Sequence, residues 1–151
     1  MADWMDSFLA NEKSLDSAKE TDALLMGFAI ACTPAMTKRL VDQLEKDVKK
    51  YAAAKSDPIR ISPYGHGAHI IRDGNHPTML LTLSMDAKNP LIHCESETRE
   101  NSDSEDVRKS YDIHIVAEKQ NNCFYRINGK KLNESETSAA ILTPLLKLLR
   151  C

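Results

Sequence analysis

"TPAMTKRLVDQLEKDVKKYAAAKSDPIRIS", residues 33–62, holds the change of rhythm that decides the fold. Thr33 is a favourable helix N-cap, and Pro34 suits the first helical position, where a missing N–H costs nothing. From there Met36, Leu40, Val41, Leu44, Val48 and Tyr51 recur with a 3.6-residue period to about Lys55. Lys38, Asp42, Glu45, Lys46 and Lys49 fall on the other side, so the stretch predicts a long amphipathic helix. After Asp57-Pro58 the period drops to two. Short β-type runs then follow at 59–62, 68–72, 78–85, 90–97, 110–118 and 122–128, separated by turn residues.

Most of the connections between these runs are too short for a parallel crossover, so successive strands are expected to be antiparallel neighbours. The exception is the charged stretch 98–109, "TRENSDSEDVRK", read as a long loop. Beyond Asn128-Gly129, Asn133 and Glu136 have the spacing of a capping box. A closing helix follows with the stripe Ile141, Leu142, Leu145, Leu148 and Leu149, kinked at Pro144. Upstream, the apolar run 23–32 reads as a further helix that ends at Thr33-Pro34. The expectation is a single α+β domain over 1–151: N-terminal helices, an antiparallel meander of five to six strands, and a C-terminal helix on the same sheet face.

Composition narrows the function. A 151-residue chain with 28% charged residues and a net charge of −2 has no overall field to draw it onto phosphate backbones or anionic lipid. A local nucleic-acid contact through Arg60, Arg72 and Arg126 is the form left open. The N-terminus carries acids where an export signal needs bases, and the ten-residue run 23–32 is about half of what a bilayer crossing takes. Cys32, Cys94, Cys123 and Cys151 form no C-x-x-C pair and read as reduced thiols of a cytoplasmic protein, with a Cys94–Cys123 bridge as the one alternative.

Histidine is densest at "PYGHGAHIIRDGNHP", 63–77, yet His66, His69 and His76 fall on a loop, a strand and a hairpin turn. Strand geometry disperses them, so no metal site is expected there. Gly65-x-Gly67 leads into a strand rather than a helix, which rules out a dinucleotide cradle. The acids at 100–106 lack the glycine and terminal glutamate of a calcium loop. No Walker, G-x-S-x-G or H-E-x-x-H string occurs, so no cofactor or metal is implied.

Explicit strand pairing brings out a different cluster. A four-residue loop at 86–89 sets Leu83 opposite Ile92 and Leu81 opposite Cys94; a three-residue loop at 119–121 pairs Ile115 with Tyr125 and His114 with Arg126. Matching apolar faces across 98–109 then allows His93 opposite His114 and Glu95 opposite Asp112. The outer sheet face would gather His93, His114, Arg126, Glu95 and Asp112, a set able to bind an anion, hold a metal or move protons near neutral pH. A solvated sheet face is the plainer reading. Trp4, Met5 and Phe8 lead a segment, 1–22, read as a loosely attached arm that either docks on its own domain, the plainer choice, or inserts into a partner or a second copy. The functional expectation is a non-enzymatic protein-binding module using the open sheet face or the arm, with a small-ligand or acid-base site at His93, His114 and Arg126 as the alternative.

Overall fold

The computed structural model describes residues 4–119 and 122–150. Helix α1, Trp4–Lys55, leads into strands β1 (Arg60–Tyr64), β2 (Gly67–Arg72), β3 (Thr78–Met85), β4 (Leu91–Arg99), β5 (Val107–Lys119), β6 (Asn122–Ile127) and β7 (Lys130–Leu132). Helix α2, Glu134–Lys147, closes the chain with a 3-10 turn at Leu148–Arg150. The strands form one antiparallel sheet in sequence order, β1 to β7. This is the expected α+β meander, one strand longer. The added strand, β7, is only three residues long and follows a tight turn in which Asn128 and Gly129 both have positive φ, 51° and 78°. The turn at 120–121 and Cys151 lie outside the described residues.

At the N-terminus the expectation of separate helices is corrected. Instead of starting at Thr33-Pro34, the helix runs through Pro34 as one element of 52 residues, about 78 Å long. Proline withdraws the N–H that would bond the Ile30 carbonyl, a cost of about 3 kcal/mol in a helix interior. Thr33 does not cap; its hydroxyl donates to the Ala29 carbonyl at 2.7 Å, and Thr37 does the same to Thr33. Ala29 and Met36, on either side of the proline, are both buried. Tertiary packing on both sides outweighs the local stop signal.

Both helices lie on one face of the sheet. The core joins Met36, Leu40, Leu44 and Val48 of α1 to Ile70, Leu81, Leu83, Ile92, Ile113, Ile115 and Tyr125 of the sheet and to Ile141, Leu142 and Leu145 of α2. Buried polar contacts fix the layers. The Tyr125 hydroxyl donates to the Met36 carbonyl at 2.6 Å, and Ser138 Oγ donates to Asp47 at 2.6 Å. Asn133 caps α2 through the expected box, its side chain accepting from the Glu136 N–H while Glu136 accepts from its own. Gly67 is required by close approach: a Cβ there would stand 2.2 Å from the Leu83 carbonyl oxygen.

Two strand registers differ from expectation by two residues. In β3–β4, Leu83 faces Cys94 and Leu81 faces Ser96; a shift of two keeps the apolar side chains inside. In β4–β5 both strands extend into the stretch read as a loop, so only Glu100–Asp106 remains outside the ladder. β2 turns Ala68, Ile70 and Arg72 inward, with Arg72 buried in an ion pair with Asp57 at 3.1 Å.

Candidate functional site

All five residues singled out from sequence, His93, Glu95, Asp112, His114 and Arg126, stand exposed on the helix-free face of the sheet. Their neighbours are not all as expected. His114 does pair with Arg126, but His93 is opposite Asp112, Glu95 is opposite Ser110, and His114 is opposite Leu91. The cause is the β4–β5 register. The Ile115 N–H donates to the Pro90 carbonyl at 2.8 Å, and Pro90, with no N–H of its own, ends the β4 side of the ladder there.

The result is two sites rather than one. In the first, His93 Nδ1 lies 2.6 Å from Asp112 Oδ1 and Nε2 lies 3.2 Å from Asp86 Oδ2. An imidazole facing a carboxylate at each nitrogen satisfies both only as the cation, with each N–H donating. The Asp112 carboxylate, and then Asp86, accordingly raise the His93 pKa above its ordinary value. Asp86 is itself held down to about 2, mainly by the backbone N–H groups of Lys88 and Asn89 at 2.7 and 3.0 Å. Ser84 stands opposite His93 on β3, so Ser84, His93 and Asp112 form a cross-strand row of triad residue types. The nitrogen that would take a serine proton is aimed at Asp86 instead. His93 therefore bridges the two aspartates and offers no free nitrogen to Ser84.

The second site is a cleft of about 300 Å³ at the overhang of β5. One wall is Pro90 with His114, Val116, Ala117 and Arg126; the other is Asp22, Leu25, Met26 and Ala29 of α1. β5 runs on past the end of β4 here, which leaves its edge open beside the helix. Among the described residues Arg126 has no carboxylate partner. Sequence reasoning found the His114 and Arg126 wall but missed the helical wall, because a break at Thr33 would have carried residues 22–29 elsewhere.

Above this cleft α1 continues without cover. Trp4 is 71% exposed, Phe8 50% and Leu24 71%, and Met5, Leu9, Met26 and Ile30 are exposed as well. Among the described side chains of this segment, those of 4–13 and 22–24 are all exposed. By length and composition, Asp22–Lys55 contains one window apolar enough to cross a membrane. Met36, Leu40 and Leu44 in this part of the helix form the floor of the core.

The other expectations resolve simply. His69 stacks on Tyr64 at 4.6 Å and meets Thr82 on the outer face. Arg60 is paired with Asp73 and Arg72 is buried, so neither joins Arg126 in a basic patch. Cys32, Cys94 and Cys123 are free thiols, and burial pushes Cys94 up to about 12. Among the described residues no three metal-ligating side chains converge. The chain matches no protein-family model, no curated protein and no solved structure.

Proposed function

We propose that the protein is a non-enzymatic binding module whose working surface is the arm of α1 together with the cleft at its root. The observation that carries this is the exposure of Trp4, Met5, Phe8, Leu9, Leu24, Met26 and Ile30, large apolar side chains on the same helix whose C-terminal half is core. A run of exposed large apolar side chains along one element is a feature of interaction sites, whereas single scattered ones are ordinary. Most helical stability in proteins comes from packing of an apolar face, so a partner on this face would also stabilise the helix. The alternative, a ligand or acid-base site at His93, His114 and Arg126, draws less support, because His93 is bound to two aspartates away from the cleft that His114 and Arg126 line. Free thiols suit a cytoplasmic setting.

The test is a photoreactive benzophenone amino acid in place of Met5, irradiated in the cells that make the protein. Expected are adducts of protein mass that vanish when Trp4→Ser and Phe8→Ser are added. Absence of any protein adduct would overturn the reading.

A further inference from the structure

We propose that the occupant of the arm and cleft is a second copy of this chain, its arm antiparallel to the first; this rests on the binding reading above. Positions 4, 8, 11, 15, 18, 22, 25 and 29 of α1 alternate spacings of four and three, the seam of a two-helix pair. In a two-fold antiparallel pair, residues whose numbers share a constant sum face each other. With a sum of 33, every seam position meets a seam position. Trp4 faces Ala29, Phe8 faces Leu25 and Asn11 faces Asp22, while positions 15 and 18 place leucine against alanine by sequence.

The chemistry of each layer fits. The largest side chain meets one of the smallest, two apolar side chains meet, and the two polar seam residues meet each other rather than an apolar neighbour. Along one flank the same register brings Met5 beside the partner's Met26 and Glu12 beside the lysine at position 19, and the two-fold repeats both contacts. The remaining arm charges, Asp6, Lys13, Asp16 and Glu20, fall on outward positions of the heptad. Competing arrangements lack this agreement. One heptad shorter sets Asp22 against Trp4; one heptad longer sets Trp4 against Met36, which packs in the core cluster, whereas Ala29, though buried too, lines the cleft. A parallel pair sets Asp22 against itself in the seam, a like-charge contact.

The cleft completes the fit. Its helical wall consists of Asp22, Leu25, Met26 and Ala29, the residues that the register assigns to the partner's Asn11, Phe8, Met5 and Trp4. The partner's tip thus enters a preformed socket closed on the far side by β5 and Arg126. Each arm contributes a tip and a socket, so the two-fold repeats the contact at both ends.

The test uses the full chain in sedimentation velocity and light scattering across a concentration series, with circular dichroism to confirm that each variant stays helical. The wild type should have twice the 16.9 kDa chain mass. Trp4→Ser with Phe8→Ser should be monomeric. Glu12→Lys and Lys19→Glu should each raise the dimer dissociation constant roughly tenfold, since the two-fold doubles every like-charge contact, and the double variant should recover wild-type affinity. A dimer indifferent to these charge changes overturns the proposed seam. A strict monomer overturns the proposal altogether; if that monomer still gives benzophenone adducts to a different protein, the binding reading survives, and if it gives none, both fall.

Discussion

The two halves of α1 carry apolar residues on one azimuth, yet Leu40 and Leu44 are fully buried while Trp4 and Phe8 are largely exposed. Trp4 and Leu40 are about ten turns apart, as are Phe8 and Leu44, so each pair shares a side of the helix. The sheet covers the C-terminal half, whereas among the described side chains of the N-terminal half only Ala29 is buried. An amphipathic pattern therefore states that a face will be covered, without stating by what. In the C-terminal half the cover is the chain's own sheet; in the N-terminal half the cover proposed above is a second chain.

The sharpest way to break this comparison is a matched pair of truncations. Leu44→Ala should cost about 2–5 kcal/mol of stability in urea titration, whereas Leu24→Ala in the arm should stay within about 0.5 kcal/mol. Equal losses would mean that the arm is packed in the monomer after all. At the border between the halves, Pro34→Ala should stabilise by up to about 3 kcal/mol and extend slow amide exchange toward the N-terminus. No gain would show that the surrounding packing already absorbs the proline.

Two smaller effects probe the body alone. Asn133→Ala removes the box that starts α2 and should cost about 1 kcal/mol with the arm unaffected. His93→Gln should destabilise most at low pH. The folded pKa of His93 is raised, so its contribution is fully present below its unfolded value near 6.5 and fades as pH rises through the folded value. Asp86 acts in the opposite direction: its stabilising share is present above the ordinary carboxylate range and is lost as pH falls toward 2. A His93 ring titration by NMR at or below its ordinary pKa would show that the aspartates do not hold it.

Much of this architecture could be read from residues 33–62 and the alternating runs after them. Face assignment within β3 to β6 survived because two-residue slips preserve it, and β5–β6 was paired correctly because its turn was short. The site was less legible for the same reason. A slip of two that leaves the core unchanged moves His93 from His114 to Asp112, and cross-strand chemistry depends on that distance. The helix boundary failed at Thr33-Pro34, where local capping chemistry was sound but tertiary packing overrode it. Nothing local distinguishes a proline that starts a helix from one that a core carries through.

The contact between Tyr125 and Met36 spans 89 residues in a chain whose strands otherwise pair with their sequence neighbours. A meander of this kind can zip hairpin by hairpin at little entropic cost, whereas bringing α1 and α2 together closes most of the chain into a loop. We expect the rate-limiting step of folding to be that closure, so Tyr125→Phe should slow folding more than it speeds unfolding; the reverse split in a chevron plot would place the closure after the barrier.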